Sequence, residues 1–407
     1  MASGPLDGIR VLALESYIAG PYGSMIMGDL GADVLKIEPL SGDPARRFAG
    51  PGHKGEAFYY LAFNRSKRSV TLDLMVDSNR RAFYDLVRTS DVVWDNFRPG
   101  VMQRLGIGYE ALKAVNDRVI CCSITGYGET GPRAHQLSYD IVGQALSGMM
   151  SITGEPGRAP VRCGPPIGDL GAGMFGVIGV LAALAERAAT GKGQKVSVSL
   201  LDSCVSLMSY YFAYYLCSGQ VPGLQGSGHL GVAPYGSFKT RDARWVATGI
   251  NWPRIARVVG AEWLMDDPRF QTQEGRVKHK KELDEVLQDC FLKADADQWL
   301  ALFEAEDIAS GLVQDVAEAA NDPQIRNNGM VLEIEHYLGG QIKLPGNPVK
   351  AQRTGECGQY LPPPLLGQDT ESVLKDLLGY SSGQVDEVKK SAEAHLRELE
   401  EHTRKSF

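Results

Sequence analysis

An apolar run from Ile9 to Glu15, a turn at Ala19-Gly20-Pro21 and a helix-like stretch to Leu30 lead into a second apolar run, Asp33 to Glu38. The alternation continues through Ser69 to Leu74, a helix around Asn79 to Arg88, Asp91 to Trp94, a helix around Tyr109 to Val115, and Val119 to Ile124. Short apolar runs alternating with helical patterns predict an α/β fold, a parallel sheet wrapped by helices. Ligands bind such sheets beyond the carboxyl ends of the strands, which makes Ser16 to Pro21 and Asn96 to Gly100 candidate site loops.

Farther along, Leu170 to Ala189 reads as an apolar helix punctuated by Gly171, Gly173, Gly176 and Gly179, followed by a strand from Gln194 to Leu200. The core pattern is lost in the glycine-rich stretch Gly219 to Gly231. A chain of 407 residues exceeds the length at which one core stops growing. The expected division is therefore a large domain over 1–225, a smaller α+β domain over 226–325, and a return to the large domain over 326–407. The smaller segment shows two short strands and several amphipathic helices, and the charged tail from Gln384 to Lys405 reads as a surface helix. Gly226-Ser227-Gly228 is a candidate lid, an interdomain linker being the plainer reading.

Composition removes several function classes. A net charge of −7 and a pI near 5.6 argue against a broad grip on nucleic acid or an anionic membrane, so an anionic ligand needs a local basic pocket. The most apolar stretch, Met174 to Ala185, is short for a bilayer span, and the first residues lack a signal-peptide pattern, which leads to a cytoplasmic expectation. The seven cysteines (121, 122, 163, 204, 217, 290 and 357) form no CxxC pair and are expected to be reduced and mostly buried. No HExxH, GxGxxG or complete P-loop pattern occurs, and no metal is called for.

Asp169 lies in Gly168-Asp-Leu-Gly-Ala-Gly173, just before the apolar helix. Its plain reading is an N-cap. The functional reading is an ionised carboxylate, favoured by the helix N-terminus and surrounded by residues small enough for a ligand to approach, with N–H groups placed to meet developing negative charge. Two basic segments suit phosphates: Asn64-Arg-Ser-Lys-Arg-Ser69, and Asn96-Phe-Arg-Pro-Gly100 with Arg104, where Phe97 offers an apolar face. The plain reading of both is a solvated basic turn. Tyr210, Tyr211, Phe212, Tyr214 and Tyr215 suit a pocket for a bulky or aryl acyl group, the plainer reading at helical spacing being core or dimer interface.

In order along the chain come Pro5 to Leu12, Ala19 to Pro21, Gly31 to Pro39, Gly42 to Pro44, Asn64 to Asp73, Asn96 to Gly100, Gly126 to Gly128, Gln144 to Gly148 and Thr190 to Gln194. Pro234 to Gly236, Asp267 to Phe270, Asn321 to Gln324 and Pro364 to Gly367 follow. This ordered set resembles the class III CoA-transferases, the CaiB/BaiF family that includes formyl-CoA transferase and carnitine CoA-transferase. The resemblance implies a Rossmann-like large domain, an interlocked ring-like homodimer, and transfer of CoA from an acyl-CoA donor to a carboxylic acid. It implies Asp169 as the covalent nucleophile, with Tyr139 and Asp140 flanking the reacting acyl group. It further implies that Ser16, Tyr17, Ile18, Ala19, Leu72, Met75, Asn96, Phe97, Arg98 and Arg104 lie along CoA, which enters as substrate, no cofactor being tightly bound.

The consecutive glycines of formyl-CoA transferases are missing here, and Met75 and Leu137 stand where lysines are found, which points away from formyl-CoA and oxalate. The expected donor is succinyl-CoA and the expected acceptor a dicarboxylate or bulky acid. Two alternatives stay open: an α-methylacyl-CoA racemase-like enzyme, whose histidine position is here Tyr139, and a non-catalytic subunit paired with a paralogue.

Overall fold

The computed structural model describes residues 4–351 and 360–405, with side chains to residue 401; Cys357 lies outside the described residues. Six strands, β1 (Arg10–Leu14), β2 (Asp33–Glu38), β3 (Lys67–Thr71), β4 (Val92–Asp95), β5 (Ile120–Thr125) and β6 (Lys195–Ser199), form one parallel sheet in the order β3-β2-β1-β4-β5-β6. The order reverses between β1 and β4, so a crevice opens there at the carboxyl edge. Near-continuous apolar strands such as Val11-Leu-Ala-Leu14 suit a sheet covered on both faces.

Alternate residues of each strand serve different cores. Leu12, Leu14, Leu35 and Val93 face a core closed by α2 (Asp77–Arg88) and by Val385 and Val388 of the C-terminal helix Ser382–Lys405. Val11, Ala13, Val34 and Trp94 face the opposite core. That side is covered by α1 (Ala19–Asp29) and α4 (Ile167–Thr190), α3 (Asp140–Leu146) lying between them in sequence. Glycine lets α1, α4 and the sheet meet at backbone distance. A Cβ on Gly23 would stand 2.4 Å from the Trp94 ring, and one on Gly173 would stand 2.8 Å from the Ala19 carbonyl oxygen.

β3 begins and ends earlier than the predicted Ser69 to Leu74, because Leu72 and Leu74 leave the sheet to fill the core beneath α2. Helix α4 starts three residues before the predicted Leu170 and is long and apolar enough, by length and composition, to cross a membrane. Its Ala172, Val177, Val180 and Ala183 are packed in the core with Trp94.

The chain divides into two compact units, one formed by 1–147, 164–207 and 326–407, the other by 148–163 and 208–325. The division at 207/208 precedes the expected 225. It falls in the helical segment Leu200–Ser218, where Ser209 breaks the helix with φ 47° and ψ −121°. The second unit holds an antiparallel sheet of three strands, one more than expected: Tyr235–Lys239, Trp245–Gly249 and Ser310–Leu312. Its own core contains Phe238, Trp252, Phe270, Phe291 and Phe303. The candidate lid at 226–228 is a turn tied to that unit, Gly226 N–H donating to the Gly154 carbonyl at 2.8 Å.

Candidate active site

The loops after β1 and β4 are laced together at the switch point. Ser16 N–H donates to Asn96 Oδ1 at 3.0 Å, and Asn96 Nδ2 donates to the Ser16 carbonyl at 2.8 Å. Trp94 Nε1 donates to the Gly20 carbonyl at 3.0 Å, fixing the first turn of α1. Tyr17 adopts φ 64°, a left-handed conformation uncommon outside glycine, and its N–H donates to Asp43 Oδ1 at 3.3 Å. Its ring is exposed, whereas Ile18 and Ala19 are buried. Those two residues have only backbone to offer a ligand.

The other expected CoA positions separate in the same way. Leu72 is a core residue and Met75 is 63% exposed. Phe97 packs partly on the core beside Met102, and Arg98 and Arg104 are exposed, Arg98 Nη2 donating to the His135 carbonyl at 2.7 Å. Phe97, Arg98, Met102, Ser123 and Lys195 help to bound a cavity of about 290 Å³. Asp95 also lines it, with a carboxyl pushed up to about 6 by burial against the hydrogen bonds from Ser123 and Phe97 N–H.

The segment Asn64 to Ser69 is not an anion loop. Arg65 pairs with Asp29 at 2.6 Å, Lys67 with Glu15 at 2.7 Å and Arg68 with Asp33 at 2.6 Å. Burial pushes the Lys67 ammonium down to about 8, against the pull of Glu15. These cations are spent on carboxylates from α1, β2 and the residue just after β1, and Lys67 thereby anchors that residue, Glu15, at the start of the Ser16 loop.

Asp169 is not a cap. Pro166 holds the N-cap position of α4, and Asp169 lies in the first turn. Asp140, at the start of α3, does the capping: its Oδ1 accepts from Gly168 N–H at 2.8 Å, and its Oδ2 accepts from Gln144 Nε2 at 2.7 Å. Gly168 has to be small, because a Cβ there would lie 2.9 Å from Cys204 Sγ. Burial first, then the charge of Asp140, push the Asp169 carboxyl up to about 7. Among the described residues no donor reaches it.

The first-turn amides are mostly engaged, which corrects the expectation of several donors waiting for a ligand. Ile167 N–H donates to Pro165 at 2.8 Å, Gly168 N–H to Asp140, and Leu170 N–H to Pro166 at 3.0 Å. The N–H of Asp169 itself is left without such a bond among the described residues. Tyr139 is 59% exposed beside the buried Asp140.

Tyr59 belongs to this field and was missed in the sequence. Its hydroxyl is pushed up to about 12, by burial first and then by Asp169, Tyr17, Asp140 and Asp43, so it stays a donor at neutral pH. Phe48 stacks on it at 4.2 Å, and Phe63 meets its edge at 6.2 Å. The run Phe58-Tyr-Tyr60 was the available signal. In the second unit Tyr210 stacks on Tyr211 at 4.5 Å and on His229 at 5.3 Å, and Tyr210, Phe212 and Tyr215 remain exposed.

The arrangement is a partly buried carboxylate in the field of a phenolic donor, on a fold whose relatives are known. The model of CoA-transferase family III matches residues 6–370. Succinyl-CoA:glutarate CoA-transferase of Mus musculus is 35% identical over 388 residues, 94% of this chain and 89% of that protein. Acetyl-CoA:oxalate CoA-transferase of Acetobacter aceti is 37% identical over 352 residues, 85% of this chain and 89% of that protein. The crystal structure of a CaiB/BaiF family protein from Brucella suis superposes with a TM-score of 0.82 at 32% identity, covering 92% of this chain and 100% of that one. With family match, relatives and fold in agreement over nearly its whole length, the chain belongs to CoA-transferase family III and is an enzyme of that family.

Proposed function

We propose that this enzyme moves CoA from succinyl-CoA to a dicarboxylate or bulky acid acceptor through covalent intermediates on Asp169. The observation that carries the reading is the Asp169 carboxyl itself: partly buried, without a hydrogen-bond donor among the described residues, and pushed up to about 7 by burial and by the charge of Asp140. A carboxylate that has lost part of its hydration is a stronger nucleophile once ionised. It attacks the donor thioester carbonyl and expels CoA thiolate, giving a mixed anhydride. The thiolate then attacks the Asp169 acyl carbon, releasing succinate and leaving an aspartyl-CoA thioester. An acceptor carboxylate repeats the exchange, and the thiolate returns to the acceptor acyl carbon, regenerating Asp169. A thioester is rebuilt in each half-reaction, so no ATP is consumed.

Asp140 keeps the α4 terminus in place through Gly168 and raises Asp169 by its charge. Tyr59 remains a protonated donor beside the acyl groups. The Ser16–Ala19 and Asn96–Arg98 loops, the Leu72–Met75 turn and Arg104 lie along CoA in this reading, with Arg98 and Arg104 meeting phosphates. The choice of donor and acceptor rests on the glutarate-using relative and on the aromatic wall of Phe48 and Tyr59, which suits carbon chains longer than oxalate. A second copy of the chain completes the assembly, as each unit leaves apolar side chains uncovered: Met174, Ile178 and Leu181 on α4, and Phe212, Tyr215 and Leu216 in the second unit.

The test is the purified chain with succinyl-CoA and a panel of glutarate, mesaconate, malate, aryl-substituted succinates, oxalate and carnitine. Transfer to members of the first four groups is expected. Transfer to oxalate or carnitine alone refutes the substrate reading, and α-proton exchange without transfer refutes the reaction.

A further inference from the structure

The turn between β3 and α2 is built on Asp73. Its Oδ1 accepts from Met75 N–H at 3.0 Å and its carbonyl accepts from Val76 N–H at 2.9 Å, while its own N–H donates to Asn79 Oδ1 at 3.0 Å. This is the local bonding by which aspartate nucleates a turn. Leu72 N–H donates to the Glu38 carbonyl at 2.9 Å and Arg80 Nη1 to the Leu74 carbonyl at 3.4 Å. Further support comes from a segment about 300 residues later. His395 Nδ1, on the C-terminal helix, lies 2.6 Å from Asp73 Oδ2. Asn79 Nδ2 donates to the Val388 carbonyl at 3.0 Å and to Ser391 Oγ at 3.1 Å, and the Ser78 and Ser391 hydroxyls are 2.8 Å apart. Val385, Val388 and Ala392 are buried, so the helix that carries His395 is itself fixed.

The consequence lies in what the turn shows to its surroundings. Leu72 and Leu74 point into the core, and Met75 is its most exposed apolar side chain. Such a turn, held only by its own bonds, would have to be ordered when a ligand arrives, at a cost in backbone conformational entropy. An anchor that orders it beforehand removes that cost from binding.

We propose that His395 and Asp73 form a clamp through which the C-terminal helix holds the Leu72–Met75 turn in the shape that receives the coenzyme, His395 acting as a positioning residue. The proposal rests on the reading that this turn lies along CoA. Because the imidazole must supply an N–H to the carboxylate, asparagine, whose Nδ2–H occupies the place of Nδ1–H, is the conservative replacement.

The experiment uses the full chain. His395→Ala is expected to raise KM for succinyl-CoA and Kd for CoA by about five- to ten-fold with kcat within about two-fold, a charged hydrogen bond having been lost on the binding side alone. Amide exchange over residues 72–76 should quicken even without ligand. His395→Asn should reverse both effects. Unchanged Kd and exchange in His395→Ala overturn the clamp, as does a rise that His395→Asn fails to reverse. Met75→Glu tests the underlying reading separately. If a new charge there leaves CoA binding unaltered, the turn is not at the coenzyme and the proposal falls with that reading. If Met75→Glu weakens binding and His395→Ala does not, the clamp alone is wrong.

Discussion

As the proposed nucleophile, Asp169 has to be ionised to attack and desolvated to attack well, and its environment sets those demands against each other. With a carboxyl raised to about 7, kcat/KM for the donor should climb roughly ten-fold per pH unit below about 7 and level off above it. Asp140→Asn keeps an oxygen to accept Gly168 N–H but removes the neighbouring charge, so the midpoint of this profile should move down. The movement is partial, because burial is the larger cause. Stability follows with its own sign. The folded state holds a proton that the unfolded chain has released, so between about pH 4 and pH 7 stability falls as pH rises. Asp169→Asn should therefore melt several degrees higher than the parent at pH 8, with the gain shrinking toward pH 4. A gain independent of pH would mean that Asp169 is not the strained group.

At the scale of elements, the site depends on α4 reaching the crevice, which its glycines permit. Gly23→Val should cost about 1–3 kcal/mol in urea unfolding, since its Cβ would start 2.4 Å from the Trp94 ring, and should also lower kcat by displacing α1 and α4. Retained stability would show that the crossing relaxes easily. The parallel sheet was readable in the sequence because Val11 to Leu14 are apolar on both faces, as are Val34, Leu35 and Ile37, with Lys36 the one polar residue among them. The start of α4 was misread for a physical reason. Aspartate is a preferred cap, yet the cap for Gly168 N–H comes from Asp140, which lies 28 positions earlier. The basic segment Asn64 to Ser69 misled in the same way, since Asp29, Glu15 and Asp33 reach it only once the strands are paired. Tyr59 offers no signal beyond the aromatic run Phe58-Tyr-Tyr60, and only tertiary packing brings it into the field of Asp169.

For the whole molecule, the ordered motifs made the family readable from one end of the chain to the other. The interrupted second unit was not readable, because nothing in 148–163 marks it as belonging with 208–325. The uncovered apolar side chains bear on assembly. Sedimentation equilibrium should give a dimer, and Ile178→Glu with Leu181→Glu should weaken it, whereas a parent monomer would count against the second copy. The central claim is covalent catalysis by Asp169, and its most direct test is mass spectrometry of the protein after brief incubation with succinyl-CoA and proteolysis. The expected result is a CoA thioester on the peptide containing Asp169, absent from Asp169→Asn, which no longer turns over. Turnover by Asp169→Ala at more than a few per cent of the parent rate, or an adduct mapped to another residue, would contradict it.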